Sequence, residues 1–423
     1  MRLLIAIGVL FAASAQAQSL PAGFPADEQV TAALNAYPGV AAARARVEAA
    51  LADRDMLRAG PYEFILSGSY VRRDVEREGR FKETDVMLSR GVRLPWKGSL
   101  DRKAGALGVE VAENEREDTR HQAALLLSQL WHDWLEAGDL LTSDQQALAM
   151  QKTATEAVRR RAGLKDAAPL DLDQAVAAQT FVESQVADSR AMLEKARVTL
   201  AATFPEIPLT VEPPRLPAPE MPVAGVDRLR DLVIARSHEI RAAENEAERL
   251  SLVARRTQAD RIPDPTVGIR TFRERGGLEN GVGVQLSIPL GFSHRRAAAS
   301  KASAQASAAG FERDVVKREI QATADADAAD VRTRIASWTS AAESARSASS
   351  AAQRTDRGHQ LGAIDLADVL FIQKQANDAR RSEIIARSAA SRAVLKLLID
   401  SHEIWAEAHD EHDEAGHVDS LGP

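Results

Sequence analysis

Two parts of the chain alternate between apolar and polar residues, and this period of two predicts β-strands. The first part covers 62–71 and 86–94, which are separated by the charged segment 72–84. The second part covers 267–271 and 282–288, with a glycine-containing loop between them. Each part therefore predicts a pair of strands joined by a loop, with one apolar face and one mostly polar face.

Long stretches that are predicted to be helical flank both strand pairs. The predicted helices are 27–59, 98–163 and 170–204 in the first half, and 227–262, 296–357 and 364–400 in the second half. The longest of them far exceed the mean helix length of about 11–12 residues in globular proteins. The order helix, two strands, long helix, turn, helix thus occurs twice.

Two pairs of short motifs recur at the same spacing of 194 residues and indicate a duplication. Leu94-Pro95 matches Ile288-Pro289 where a strand closes, and Leu170-Asp171-Leu172 matches Ile364-Asp365-Leu366 after a turn. The predicted organisation is a signal peptide at 1–17, a first repeat at 18–204, a proline-rich linker at 205–226, a second repeat at 227–400 and a tail rich in histidine and acid at 401–423.

The N-terminus has the features of a secretory signal peptide. Arg2 precedes an apolar run from Leu3 to Ala13, and Ala15-Gln16-Ala17 supplies small residues for cleavage before Gln18. The alternative, a membrane-spanning anchor, needs about 18 apolar residues and this run is shorter. Export of the mature chain is therefore expected.

Composition excludes several classes of protein. The chain has no cysteine, which excludes disulfides, thiolate metal sites and a lipid-modified N-terminal cysteine. Its net charge of -7, without a basic stripe among aromatic residues, disfavours a nucleic-acid partner. No phosphate-binding glycine loop and no nucleophile elbow occurs, so the chain is not expected to be an enzyme or to need a cofactor.

Two architectures accommodate strands with one apolar face: a transmembrane β-barrel and an ordinary antiparallel sheet with one wet face. The export signal and the long helices favour the barrel. Four strands cannot close a barrel, so the chain must form oligomers, and three copies would supply 12 strands. Arg90 interrupts the apolar pattern. The residues expected to face lipid are Phe64, Leu66, Val86, Leu88, Val267, Ile269, Val284 and Leu286.

The duplicated unit, the strand-closing prolines and the turn motif from Gly358 to Asp368 resemble the TolC-type outer membrane efflux proteins over essentially the whole mature chain. The general appearance is most similar to the heavy-metal-resistance branch, the CzcC/CusC-like members. The resemblance implies a mainly α fold, with a long α-helical barrel protomer and four β-strands contributing to a trimeric 12-stranded barrel. It also implies a homotrimer in the outer membrane that projects into the periplasm. The missing cysteine makes the chain resemble the members of the family that have no lipid anchor. The implied partners are outer membrane lipid, a periplasmic membrane-fusion adaptor and an inner-membrane pump, with the RND type favoured.

The resemblance assigns functions to residues at the two helix-to-helix turns. Asp365 and Asp368 share a helix face, and with Asp171 they are candidates for rings of carboxylates at the pore aperture, which would attract cations. Capping of helix N-termini is the alternative role. The candidate adaptor-contacting tips are Gly163, Leu164, Leu170, Gly358, Leu361, Gly362 and Leu366, whose alternative role is to turn the chain.

The C-terminal tail gives the only indication of cargo. His409, His412 and His417 lie among acidic residues and form a candidate weak metal site, although a solvated tail has the same composition. The expected function is a passive exit duct of a tripartite efflux system, with metal cations as the first choice of cargo. Drug efflux or type I secretion through the same fold is one alternative, and a soluble periplasmic helical scaffold is another.

Overall fold

The structure, a computed structural model, describes residues 23–406. The signal peptide predicted at 1–17 and the candidate metal site at His409, His412 and His417 lie outside these residues. Residues 23–406 contain α1 (Asp27–Ala36), α2 (Pro38–Ala59), β1 (Phe64–Val75), β2 (Gly79–Gly91), α3 (Pro95–Gly163), α4 (Pro169–Thr203), α5 (Val226–Arg236), α6 (His238–Ala259), β3 (Thr266–Glu274), β4 (Glu279–Ser287), α7 (Phe292–Gln360) and α8 (Leu366–Asp400).

The first helix predicted in each repeat is divided in the structure. The chain leaves the helix at Tyr37, because the following residue is Pro38 and a residue before proline is disfavoured in the α region. In the second repeat the helix is interrupted at Ser237, whose side chain accepts a hydrogen bond from the backbone N–H of Ile240 at 3.1 Å. Each expected helix therefore consists of two helices, and the second of them starts at a capped or proline-initiated N-terminus.

The four strands form one antiparallel sheet in the order β1-β2-β3-β4, so β1 and β4 are its edges. The segment 72–84, expected to be a loop, is mostly strand, because β1 continues to Val75 and β2 begins at Gly79. Asp74 and Arg80 lie opposite each other in this extension and form a 3.0 Å ion pair. The true turn is therefore only a few residues long.

The chain divides into two compact units that do not coincide with the two repeats. Among the described residues, unit 1 comprises 23–37, His121–Arg236 and 323–406, while unit 2 comprises Pro38–Arg120 and Ser237–Ala322. Each unit thus contains segments from both repeats, and α3 and α7 each contribute to both. The sheet belongs to unit 2, and both helix-to-helix turns belong to unit 1.

The core of unit 1 includes residues from the middle of α3 and from the end of α8. Trp134 and Leu135 of α3 and Leu397 and Ile399 of α8 are almost completely buried. His132 is also buried, and desolvation lowers its pKa to about 4. A neutral imidazole is therefore compatible with its position in this apolar core at neutral pH.

Candidate functional site

The apolar face of the sheet is exposed. The pairing register places Leu66, Leu88, Ile269 and Val284 in one row across the four strands, and paired residues share a face. All eight residues that were expected to face lipid lie on this face, with exposed fractions between 42% for Val267 and 81% for Val284. Their side chains are therefore not covered by the described part of this chain.

Arg90 is the polar residue within this apolar face. Its guanidinium lies 4.8 Å from the centroid of the Phe64 ring, and its Nε donates a hydrogen bond to the carbonyl of Tyr62 at 3.1 Å. A cation over an aromatic face is stabilised by the ring quadrupole. The charge thus lies at the end of the face where the strands join the helices.

The opposite face of the sheet is polar. Arg73 forms an ion pair with Glu83 at 2.7 Å, and Arg270 forms a short ion pair with Asp85. Gly281 lies under the ring of Phe272, where a Cβ atom would be only 2.3 Å from a ring carbon. The two faces therefore differ in chemistry as the sequence alternation predicts.

Where the sheet meets the helices, unit 2 contains a buried ionic cluster that the sequence analysis did not identify. The completely buried Lys97 bonds to Asp260 and Asp264, each at 2.9 Å, and to the carbonyl of Ile262 at 2.6 Å. Tyr62 donates a 2.6 Å hydrogen bond to Asp264. These contacts connect the starts of both hairpins to the first turn of α3.

The cluster changes the protonation equilibria of its members. Burial and the hydrogen bond to Asp264 raise the pKa of Tyr62 to about 12. Burial alone would raise the pKa of Asp264, but hydrogen bonds from Tyr62, Lys97 and the backbone N–H of Leu94 outweigh it and lower the pKa. The carboxylate therefore stays ionised beside the Lys97 ammonium group.

The turn of the first repeat is closed by backbone hydrogen bonds and by an acidic cap. The N–H of Asp166 bonds to the carbonyl of Arg161 at 2.8 Å, and Lys165 adopts a left-handed conformation with φ of 61°. Gly163, which was expected to provide the turn, is the last residue of α3, so the left-handed residue lies two positions further on. Asp171 accepts a hydrogen bond from the backbone N–H of Ala168 at 3.2 Å.

The turn of the second repeat has the same closing bonds with a glycine at the left-handed position. The N–H of Ala363 bonds to the carbonyl of Gly358 at 2.9 Å, and Gly362 has φ of 76°. His359 Nδ1 lies 2.8 Å from the carbonyl of Ile364. The imidazole thus ties the end of α7 to the segment before α8.

The acids at the start of α8 are free of capping bonds. Asp365 is the N-cap of α8, yet its side chain forms no capping hydrogen bond, and Asp368 lies in the first turn. Both residues are exposed. They differ in this respect from Asp171, whose carboxylate accepts the hydrogen bond from the backbone N–H of Ala168. Asp365 and Asp368 therefore retain carboxylates that are accessible to solvent.

The predicted tip residues separate into an exposed group and one buried residue. Leu164, Leu170 and Leu361 are exposed by 80%, 62% and 72%. Leu366 is only 9% exposed and belongs to an apolar cluster with Val158 and Ala175. The side chain of Leu366 therefore packs inside unit 1 and offers little surface for contact with another protein.

The remaining tip candidates are glycines. Gly163 has no atom within 4 Å of a hypothetical Cβ, whereas a Cβ on Gly358 would be 2.5 Å from Cδ1 of Ile364. Gly362 needs its positive φ. The last two glycines thus have a demonstrable structural role.

A groove of about 1690 Å³ lies next to these turns within unit 1. Its walls come from α3, α4, α7 and α8, and exposed apolar side chains such as Met150, Phe181 and Phe371 line it. Charged side chains, including Arg161 and Arg346, also line it. The groove is therefore an amphipathic surface between the two helix pairs.

Buried polar contacts join the helix pairs of the two repeats, and the sequence analysis did not identify them. The completely buried Asp144 of α3 contacts Arg381 of α8 and Ser189 of α4 through short polar contacts. Asn377 donates a 3.0 Å hydrogen bond to Gln185. The only signal in the sequence was Asp144 itself, and an acidic residue within a long helix is usually solvated.

Two further observations limit the chemistry of the described residues. Within residues 23–406, no group of three or more histidine or acidic side chains is arranged to hold a metal ion. In the same part of the chain, none of the helices has an apolar stretch sufficient to cross a lipid bilayer.

The sequence matches no protein-family model and no curated protein sequence. The structure resembles several solved structures. The outer-membrane channel OprN matches with a TM-score of 0.77 at 19% identity, over 90% of each chain. The outer membrane protein VceC from Vibrio cholerae matches with a TM-score of 0.72 at 17% identity, over 89% of this chain and 95% of that one. CusC, studied for transmembrane channel formation, matches with a TM-score of 0.74 at 13% identity, over 89% and 91%.

The chain has an outer-membrane channel fold. This confirms the predicted fold class, a mainly α chain with four antiparallel strands. Identities below 20% establish the fold alone. The match to CusC does not single out the CzcC/CusC-like branch, because OprN and VceC match with similar scores and higher identity.

Proposed function

We propose that this protein is the outer membrane exit duct of a tripartite efflux system and works as a homotrimer. The observation that carries the proposal is the exposed apolar face of the sheet, whose edge strands β1 and β4 have no further partner strand among the described residues. The channel fold supports it as well. The duct itself carries out no catalytic step in this proposal.

The edges of the sheet support an oligomer. β1 has 12 residues and β4 has 9, and each presents one row of backbone donors and acceptors that has no partner strand among residues 23–406. Unpaired backbone groups in hydrocarbon cost several kcal/mol each, so strands in a membrane must form a closed barrel. Pairing of β1 with β4 of a neighbouring copy satisfies both edges, and three copies give 12 strands.

The soluble scaffold is the rival in another class. A water-soluble protein would leave eight large apolar side chains in water on one continuous face, and such patches mark sites of interaction. It would also leave two long edges open to aggregation. Both features favour the membrane proposal over the scaffold.

Cysteine cross-linking tests the duct directly, because the chain contains no cysteine of its own. We would combine Leu66→Cys in β1 with Val282→Cys, Val284→Cys or Leu286→Cys in β4, and oxidise membranes containing each variant. At least one combination is expected to give a covalent ladder that stops at three chains. The matched control combines Leu88→Cys with Ile269→Cys, which face each other within one chain and should cross-link without a mass increase.

A monomer released by osmotic shock, without detergent and without intermolecular cross-links, would support the scaffold. A ladder that continued beyond three chains would contradict the trimer. A covalent trimer recovered only from detergent extracts would support the duct.

We further propose that Asp365 and Asp368 line the aperture of the duct. Their support is that both carboxylates are exposed and neither caps a helix with its side chain. Three copies would then bring six carboxylates together, and these would attract cations. Asp171 is a weaker candidate for the aperture, since its carboxylate accepts the hydrogen bond from Ala168.

Single-channel recording in planar bilayers tests the aperture. Asp365→Ala combined with Asp368→Ala should raise the conductance and weaken the block by trivalent cations, because the carboxylates that bind the blocker are removed. Asp171→Ala is the matched control and should change both quantities less. Unchanged conductance and block in the double variant would exclude these two residues from the aperture.

The exposed tips are proposed to contact the periplasmic membrane-fusion adaptor. Leu164, Leu170 and Leu361 are the best candidates because each exposes a large apolar side chain at a turn. A photo-reactive residue at Leu361 should cross-link to the adaptor, and one at Leu366 should not, because Leu366 is buried. The inner-membrane pump, with the RND type favoured, would contribute the energy.

Metal cations are the proposed cargo, with drugs and secreted proteins as alternatives. The support comes from the histidines of the tail and from the resemblance to the heavy-metal-resistance branch. Deletion of the gene should lower the tolerated concentration of zinc, cobalt, cadmium or copper more than that of drugs. The reverse order would favour drug efflux, and loss of a secreted protein would favour secretion.

A further inference from the structure

Three cations that have no carboxylate partner among residues 23–406 lie on the apolar face of the sheet, at the end where the hairpins turn. The register places Arg72 of β1 opposite Lys82 of β2. It places Arg273 of β3 opposite Thr84, which is two residues from Lys82 on β2. All three side chains therefore share the face of Leu66 and Ile269 and are exposed. We call Arg72, Lys82 and Arg273 the cation row.

The cation row lies just beyond the apolar band. Tyr70 pairs with Thr84, which puts it level with Arg273 and two residues before Arg72. The Tyr70 hydroxyl accepts a 3.4 Å hydrogen bond from Nε of Arg72. Tyrosine is typical of the level where hydrocarbon meets the polar headgroups. The cations are thus placed where a headgroup would follow an acyl chain that lies along the apolar face.

Like charges dominate this end of the face. Directly opposed residues have Cβ atoms about 4.5–5.5 Å apart, and like charges in that position destabilise a sheet. Arg72 and Lys82 are such a pair, and within residues 23–406 no member of the cation row forms an ion pair with a carboxylate. An anion that bridges the row would remove this repulsion.

Other arginines of the same hairpins form ion pairs with acidic side chains. On the same face, Arg80 pairs with Asp74 at 3.0 Å. On the polar face, Arg73 pairs with Glu83 and Arg270 with Asp85. The cation row is therefore not explained by a general excess of arginine in the hairpins.

We propose that the cation row binds the phosphate groups of an anionic membrane lipid whose acyl chains cover the apolar face. This proposal rests on the proposed function, which puts the apolar face in the outer membrane. Because the helices follow from the other ends of the strands and would project into the periplasm, the hairpin turns would lie at the outer surface. Guanidinium groups bind phosphate through paired N–H donors, and an ammonium group adds a point charge. Three cations on three neighbouring strands, spaced about 5–8 Å apart, fit a headgroup with more than one phosphate.

Native mass spectrometry of the detergent-purified, delipidated trimer tests the proposal. The probes are bisphosphorylated lipid A and zwitterionic phosphatidylcholine, with inorganic phosphate as a soluble competitor. Wild-type trimer is expected to retain lipid A in preference to phosphatidylcholine. A single Lys or Arg near a lipid surface contributes about a fivefold gain in binding, so Arg72→Gln with Arg273→Gln should weaken lipid A binding about 25-fold.

The matched control is Arg80→Gln with Arg275→Gln, which removes the same charge from arginines that already have acidic partners. Its lipid A affinity should change by less than about twofold. Equal losses in the two double variants would overturn the proposal, since diffuse charge would then explain the binding. Absence of preference for lipid A, or its displacement by millimolar inorganic phosphate, would also overturn it.

Failure of this proposal can be distinguished from failure of the proposed function. A trimer that assembles and conducts ions but shows no lipid A preference contradicts only the cation row. A protein that forms no detergent-soluble trimer contradicts the duct itself. In both double variants the trimer content, measured by the same mass spectra, shows whether the substitutions affect assembly.

Discussion

The two helix-to-helix turns occupy equivalent positions in the two repeats, but they are built differently. The first turn forces Lys165 into the left-handed region and uses Asp171 to cap α4. The second turn has Gly362 at the left-handed position and leaves Asp365 and Asp368 without capping bonds. The difference suggests that the acids of the first turn stabilise the helix, whereas those of the second remain available for function.

The start of each following helix explains this division. α4 begins at Pro169, so Asp171 is its third residue and reaches back to the N–H of Ala168. By the spacing of 194 residues α8 would begin at Ala363, but it begins three residues later, at Leu366. Asp365, the sequence equivalent of Asp171, therefore lies at the N-cap instead of inside the first turn.

The largest expected effect comes from replacing one glycine at each turn by alanine. Gly362→Ala should destabilise the second turn by about 1–2 kcal/mol, because Cβ is disfavoured at positive φ. Gly163→Ala should stabilise the end of α3 by about 0.5–1 kcal/mol, since alanine favours the helix and the position has free space. Hydrogen exchange of peptides spanning each turn measures both changes. Exchange should be about 5–30-fold faster at the second turn in Gly362→Ala and about 2–5-fold slower at the end of α3 in Gly163→Ala.

Opposite signs of the stability change in Gly362→Ala and Gly163→Ala would support the conclusion that the two turns are built differently. Equal destabilisation by both substitutions would contradict it, because Gly163 would then also need a conformation that alanine cannot adopt. In each variant, a peptide in β3 should exchange at the wild-type rate and provides the internal reference.

A smaller effect is expected from the acids. Asp171→Ala should destabilise the start of α4 by about 1 kcal/mol, since it removes a capping hydrogen bond in addition to a favourable interaction with the helix dipole. Asp368→Ala removes only the dipole interaction and should cost less, about 0.3–0.5 kcal/mol. The measurement is hydrogen exchange of the first turns of α4 and α8, and equal costs would show that both acids are caps.

The faces of the sheet could be predicted from the sequence because side chains alternate along a strand. Leu66 and Ile269 were assigned to one face from alternation alone, and the register places them on that face. The extension of the strands through Arg72 and Lys82 was not predicted, because the charges there resemble a loop until they are paired across the strands. Alternation identifies a face but does not show where pairing ends.

The turns show the other limit of sequence reasoning. The helix break at Tyr37 follows from Pro38, which is visible in the sequence. The left-handed conformation of Lys165 accompanies backbone hydrogen bonds, which the side chains of the turn do not predict. Leu366 was expected at the surface because it lies beside a turn. Its burial depends on packing against Val158 and Ala175, which are distant in sequence. Contacts of this kind require the folded structure.

Another small effect is expected at the left-handed lysine. Lys165→Gly should stabilise the first turn by about 0.5 kcal/mol, because relief of the left-handed strain slightly exceeds the greater entropy of glycine in the unfolded chain. Lys165→Ala is the matched control: it removes the same side chain but keeps Cβ, so the turn should gain little. Exchange at the N–H of Asp166, which closes the turn on Arg161, measures the difference. A gain of the same size in both variants would mean that the lysine side chain, and not its backbone conformation, disfavours the turn.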